Sequence, residues 1–456
     1  KRNFASGCGS RHAPSVHPAF SGRPADFRIT QCRYSHGDMP VGIPFASVEG
    51  ILTNNVAGHV MNAVEKKKIL FAINELNVGG VEKSLLSLFG AIPRDRYEIH
   101  LALMQPGGGF ESFVPADVTV HQIGGYMRVR DFMRSRSRGL LKGLKSGNIA
   151  STIKMLAVYL RSRLSGTLLP FFDYAIGDEI AAGGMEFDLA VNYAGPSEFL
   201  DCYITRHTRA RRRAAWIHFD LERTFDRVST SRLTHGSYDR VFCVSPHALD
   251  VYRRRYPEFA GHAALFRNII DEKSILADSS AGSDYAPAPA PVLNVVTVAR
   301  LNPEKGIDLA LKSLRVLLDS GTDACWHFIG GGELAPRYRA MADSLGLADR
   351  VRFYGPRTNP FPYMAGADVY VQPSLHEGFG ITVAEALCFD APIAVTPFDC
   401  AAEQLGDGRR DNAVIAAGFE PEQLADAVLS ASRLPRGRSG KVAGRNSDIN
   451  KLIELL

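Results

Sequence analysis

No run of about 18 apolar residues occurs in the 456-residue chain, so no segment is expected to span a membrane as a helix. The first thirty residues lack an apolar core, which argues against a signal peptide among them. The seven cysteines are scattered, with no Cys-x-x-Cys pair and no His/Cys cluster. That pattern disfavours a disulfide framework or a zinc site and reads as reduced, buried thiols in a cytosolic protein. A net charge of +5 is too small for a global nucleic-acid signature, so what matters is where the basic residues sit. What the chain does have is apolar content: 45% hydrophobic residues over this length supply full cores for two or three domains.

The most informative stretch runs from Ser374 to Leu387. It follows Ala367–Pro373, rich in Val and Tyr, which reads as a buried strand stopped by a proline. After Gly378 and Gly380, Ile381–Phe389 places apolar residues at helical spacing. Strand, glycine loop and helix put this loop at the carboxyl end of a parallel strand, where ligands bind. The amides of Phe379, Gly380 and Ile381 open the helix and suit a phosphate. Glu377 and Glu385 flank that site, and carboxylates there suit hydroxyls rather than phosphate. Two solvated surface charges are the plainer alternative.

Further strand-to-loop transitions repeat the pattern. Ile69–Ile73 reads as a strand, followed by Gly79-Gly80 and a helix through Ser84–Leu88. This loop has neither Gly-Lys-Ser/Thr nor Gly-x-Gly-x-x-Gly, which disfavours a P-loop or dinucleotide site. Arg211–Asp220 reads as a strand that brings His218 to its end. Leu293–Ala299 reads as a central strand that runs into Arg300 and Lys305, two cations suited to a diphosphate. Trp326–Ile329 leads into Gly330–Gly332, and Val351–Gly355 is a short strand and turn.

Glu377-x7-Glu385, Arg300-x4-Lys305, the Gly79-Gly80 loop and the Asn268-x-x-Asp271 turn together resemble retaining glycosyltransferases of the GT-B fold, glycosyltransferase family 4 in particular. The resemblance covers about residues 67–434 and is stronger in the second half. It implies an α/β protein of two Rossmann-like parallel-sheet domains facing a central cleft. It implies transfer of a sugar from a UDP- or GDP-linked donor to an acceptor hydroxyl, with retention and without a cofactor. Surface polysaccharide, lipopolysaccharide or glycolipid assembly would be the setting. His218, Glu377, Arg300 and Lys305 become the catalytic candidates. Gly79, Gly80, Gly331, Tyr354, Gly378, Phe379, Gly380, Ile381 and Glu385 become the donor-binding ones. In this reading Glu377 holds the sugar hydroxyls, Glu385 holds the ribose, and the turn at Tyr354 lies against the base. No Asp-x-Asp occurs, so nothing suggests a metal bridging the diphosphate.

The domains expected are an N-terminal acceptor-binding domain over 67–275, a linker over 277–291 and a nucleotide-sugar domain over 292–434. The linker is rich in Ala, Ser, Gly, Asp and Pro and is expected to be exposed. Residues 1–60 read as a disordered extension, and 435–456 as a tail that could cross back to the first domain. A basic helical insertion is expected over 126–185. Its first forty residues, 126–165, hold ten cations against one acid, Asp131, interleaved with apolar residues. That composition suits an anionic membrane surface, hence a peripheral location on its cytoplasmic face, and equally a solvated insertion packed on its own domain. Three other readings stay open: a non-catalytic sugar- or nucleotide-binding protein of the same fold, a transferase with a soluble acceptor, and a phosphorylase or sucrose-type enzyme. No lysine stands out for the pyridoxal cofactor of a phosphorylase.

Overall fold

The computed structural model describes residues 65–145, 147–219, 221, 228–406, 411–437 and 448–456. The expected extension over 1–60 and most of the Gly/Arg-rich 436–445 lie outside these residues. The first lobe is a parallel sheet of β1 (Lys67–Ile73), β2 (Tyr97–Leu103), β3 (Thr119–Gln122), β4 (Glu186–Asn192), β5 (Arg209–Ile217), β6 (Arg240–Cys243) and β7 (Ala263–Leu265). Its strand order is β3-β2-β1-β4-β5-β6-β7. The second lobe holds β8 (Leu293–Val298), β9 (Ala324–Ile329), β10 (Val351–Gly355), β11 (Val369–Gln372), β12 (Ile393–Val395) and β13 (Ala413–Ile415). These pair in parallel in the order β10-β9-β8-β11-β12-β13.

Sequence pattern explains both sheets. In β1 every residue from Ile69 to Ile73 is buried, so both faces are covered, as a parallel sheet requires. One apolar cluster runs from the first sheet to Phe361, Phe379 and Phe389 of the second lobe. The strand order reverses at β1/β4 in the first sheet and at β8/β11 in the second. A crevice opens outside the carboxyl ends of the strands at such a reversal. The loops after β1, β5, β8 and β11 all end there, and helix α1 (Gly80–Ala91) starts there.

The insertion forms four helices: α2 (Gly124–Arg134), α3 (Arg136–Lys145), α4 (Ile149–Leu164) and α5 (Leu169–Ile176). The helices pack on one another through Tyr159, which meets Phe132 at 5.0 Å and Phe171 at 5.4 Å, and on the first lobe through Tyr126 and Phe172, which meet Phe199 at 5.3 and 5.5 Å. The opposite side leaves Leu141, Leu144, Ile149, Ile153, Leu160 and Leu164 between 47% and 89% exposed.

The linker over 277–291 is mostly exposed, with none of its residues buried, and it has two attachments to its neighbours. The helix Glu272–Asp278 runs into its start. Part of the rest is tied to the second lobe: Tyr285 packs on His327 and Tyr363, and Asp284 accepts a 2.5 Å bond from the Arg357 guanidinium. One tyrosine in a segment of small residues is enough to anchor it, because its ring carries most of the segment's apolar area. The short strand β7 has no β-branched residue to mark it in the sequence. The C-terminal segment lies on the first lobe, where Asp448 accepts from the Arg267 amide at 2.8 Å and Lys451 donates to the Leu265 carbonyl at 2.7 Å.

Candidate active site

The crevice between the lobes is a cavity of about 890 Å³. His218, Arg300, Lys305, Glu377 and Glu385 all line it, as do Gly79, Gly80, Gly331, Gly378, Phe379, Gly380 and Ile381. Residues separated by up to 306 positions thus meet because each ends a strand or opens a helix at the same edge of its sheet.

Glu377 is held by one oxygen. Its Oε1 accepts from Ser374 Oγ at 2.7 Å, from Lys305 Nζ at 2.8 Å and from Gln372 Nε2 at 3.3 Å. Gln372 is fixed in turn, because its Oε1 accepts from Tyr370 and Thr382 at 2.8 and 3.0 Å while its Nε2 also donates to Ser374 Oγ at 2.8 Å. Gln372, Ser374 and Tyr370 are buried, so this network has little freedom. The other oxygen of Glu377 takes no hydrogen bond from the described residues and is available to a ligand hydroxyl.

Lys305 is therefore a partner of Glu377 as well as a cation at the cleft, a pairing that the spacing of the two did not reveal. Arg300 differs from it: its side chain is 59% exposed and reaches Glu304 only at 3.8 Å, so the guanidinium is free to turn onto an anion. The helix Ile381–Ala386 is a short one, so the amides before it matter more than any helix dipole. Gly380 caps it in the left-handed region at φ 76°.

His218 lies just past β5 and donates from Nε2 to the Tyr193 carbonyl at 2.9 Å. Burial pushes its pKa down to about 3, against a smaller opposing effect of that hydrogen bond. The ring is neutral near pH 7, and Nδ1 then carries the lone pair. Gly378 packs directly on this histidine: a Cβ added there would sit 2.0 Å from the His218 carbonyl oxygen. Here the two lobes touch backbone to backbone.

Tyr354 stands apart from the other named residues. Its side chain is not part of the cleft wall. The ring stacks on His327, meets Tyr363 at 5.0 Å, and its hydroxyl takes the Ala286 amide at 3.3 Å. The pairing of β10 with β9 shifts register between Phe353 and Gly355, where Tyr354 sits, and Pro356, Arg357 and Thr358 line the cleft. Sequence reading also missed Lys83, Asn268 and Gln372. Asn268, in the Asn-x-x-Asp turn, lines the cavity with a buried Oδ1 that has no partner among the described residues.

A His/Cys grouping absent from the sequence pattern does form in space. Asp173 Oδ1 accepts from His207 Nε2 at 2.9 Å and from Cys202 Sγ at 3.4 Å. It lies between α5 and α6 (Glu198–Arg206), outside the cavity, and the Arg206 guanidinium already neutralises Asp173. An arginine on the carboxylate favours an ion-pair cluster over a bound cation.

Comparison with known proteins bears on this cleft. Residues 289–443 match the family described as Glycosyl transferases group 1. A Rhizobium meliloti lipopolysaccharide core biosynthesis mannosyltransferase, LpsB, is 28% identical over 227 residues, 48% of this chain and 59% of that one. The Escherichia coli lipopolysaccharide glucosyltransferase WaaG is 29% identical over 127 residues, 28% of this chain and 34% of that one. The matched region thus spans less than two thirds of either relative. Among solved structures, Anabaena HepE in complex with UDP-glucose superposes with a TM-score of 0.55 at 18% identity, covering 85% of this chain and all of that one. A variant of S. aureus TarM in complex with UDP and two sugar ligands gives 0.56 at 12% identity, covering 85% and 96%. Together with the two facing parallel sheets, these likenesses settle the fold: the chain has the GT-B architecture.

Proposed function

We propose that the chain is a retaining, metal-independent glycosyltransferase that moves a sugar from a UDP- or GDP-linked donor to an acceptor hydroxyl. The observation that carries this is the meeting of Arg300, Lys305, Glu377 and Glu385 in one cavity, cations beside carboxylates. A diphosphate needs the first pair and a polyhydroxyl sugar and ribose need the second. As the bond from the anomeric carbon to the diphosphate breaks, Arg300, Lys305 and the amides of Phe379–Ile381 face the charge that develops. Glu377, fixed by its three donors, orients the sugar. The acceptor oxygen bonds to the anomeric carbon on the face that the diphosphate leaves, and its proton passes to the departing phosphate oxygen. Neutral His218 offers Nδ1 as a hydrogen-bond acceptor beside that reaction. The names of the relatives, both sugar transferases, support the reading. The test is release of nucleoside diphosphate from a panel of UDP- and GDP-sugars in the presence of EDTA. Release that Arg300→Ala abolishes supports transfer, whereas binding without turnover would favour the non-catalytic alternative.

For the acceptor, the outer face of α3 and α4 favours a lipid-linked sugar met at an anionic membrane. Its exposed leucines and isoleucines alternate with Lys142, Lys145, Lys154, Arg161 and Arg163. Exposed apolar residues among cations are what a surface-lying helix presents to a bilayer. No helix among the described residues is long and apolar enough to cross one. A peripheral position on the cytoplasmic leaflet follows from this reading, and a soluble acceptor remains its competitor.

A further inference from the structure

We infer that Lys83, on the lobe opposite the donor loops, is the residue that orients Glu385 and so makes hydroxyl recognition depend on lobe closure. The inference rests on the reading of the cleft as a nucleotide-sugar site. Glu385 belongs to the second lobe, lines the cavity and has a side chain only 4% exposed. A carboxylate this buried needs a compensating cation. None comes from its own lobe among the described residues. The partner is Lys83 Nζ, 2.8 Å from Oε1, carried on α1 of the first lobe. The same ammonium lies 3.9 Å from the centroid of the Phe361 ring, again in the second lobe. Close by, α1 and the Glu385 helix come so near that a Cβ on Gly80 would lie 3.2 Å from Ile381 Cδ1. Lys83 therefore reaches across a shut interface, and parting the lobes would break the pair.

This arrangement has a chemical consequence. With Oε1 taken by Lys83, the carboxylate is fixed in direction and presents Oε2 as an acceptor to a ligand hydroxyl. Without the cation, nothing holds the buried carboxylate in that direction, and the directed acceptor is lost. Lys83 acts through Glu385 and is a positioning residue rather than a catalytic one.

The test is discrimination between ribose and deoxyribose, a readout that a purely structural lysine would not move. Binding of UDP, GDP and their 2′-deoxy and 3′-deoxy forms is measured by calorimetry on the full chain and on Lys83→Met. Methionine keeps a stem over Phe361 without the charge. The wild-type chain should bind one nucleoside diphosphate at least about tenfold tighter than one of its deoxy forms. Lys83→Met should bind both at the weaker level, to within about twofold. Lys83→Arg should keep most of the discrimination. Glu385→Gln, a second route should Lys83→Met not fold, should lose it as well, and combining Glu385→Gln with Lys83→Met should cost nothing further, as coupled residues require. Full discrimination by Lys83→Met, with the wild type binding normally, would overturn the role of Lys83 alone. No binding of either nucleoside diphosphate by the wild type would overturn the nucleotide-sugar reading and this inference with it.

Discussion

Lys305 Nζ and Glu377 Oε1 lie 2.8 Å apart, with their side chains only 16% and 10% exposed, so the cation proposed for a diphosphate also fixes the carboxylate proposed for the sugar. Removing either leaves the other partly buried and unpaired. Lys305→Ala and Glu377→Ala are each expected to lower the turnover rate by about 30- to 1000-fold, equivalent to roughly 2–4 kcal/mol. The double variant should lose much less than the sum. Additive losses in a double-mutant cycle would show that the two act separately.

Ser374 makes the shortest of the three bonds to Glu377. A hydrogen bond to a charged group contributes about 1.5–3 kcal/mol, so Ser374→Ala should slow transfer by roughly 10- to 150-fold. The loss should fall on kcat more than on KM, since the serine holds Glu377 and touches no substrate. A pure KM effect would move Ser374 into donor binding.

Gly378 is needed for space rather than for backbone freedom. Gly378→Ala drives a methyl group into the His218 carbonyl, and the lobes must part to relieve it. A displacement of about 1 Å in the cleft can cost on the order of 100-fold in rate. The variant should keep most of its melting temperature, because each sheet is untouched. Wild-type turnover in Gly378→Ala would show that the lobes work further apart than they stand here.

Acid should weaken the fold through His218. Its pKa falls from 6.5 to about 3 on folding, so the unfolded chain binds the extra proton between those values. Stability from this group is complete above about pH 6.5 and is lost as pH falls toward 3, by a few kcal/mol in all. Asp201 has the opposite sign. Burial raises its pKa to about 6, against hydrogen bonds from Tyr238 and Asn192, so its cost is largest above pH 6 and is relieved on acidification. Denaturant titrations from pH 7 to 4 should show Asp201→Asn steepening the acid loss and His218→Gln flattening it. Unchanged slopes would contradict both assignments.

The exposed leucines of α3 and α4 set a membrane prediction. The chain should float with anionic vesicles at low salt and be released as the salt concentration rises. Leu160→Asp with Leu164→Asp should abolish flotation without altering the melting temperature, since both side chains already face solvent. Failure of the wild-type chain to float with anionic vesicles at low salt would favour a soluble acceptor.

Much of this architecture is legible in the sequence, for particular reasons. Ile69–Ile73 and Leu293–Val298 read as parallel strands because continuous apolar runs of that length need cover on both faces. The loop from Glu377 to Glu385 is legible because its residues are adjacent in the chain. Lys83 is not, since its partner lies 302 positions away on another lobe. For Tyr354, a turn's sequence does not say which face the side chain takes. The insertion shows how composition falls short: the same residues supply Phe132 and Tyr159 to the core and Leu160 and Leu164 to the surface. Only the packed helices reveal which side is which.

The central claim is transfer with retention from a nucleotide sugar bound in this cleft. Proton NMR of the product formed from the accepted α-linked UDP- or GDP-sugar tests it most directly. The account predicts an α-linked product, formed in the presence of EDTA and missing with Arg300→Ala and Glu377→Ala. A β-linked product, or full activity in either variant, would contradict it.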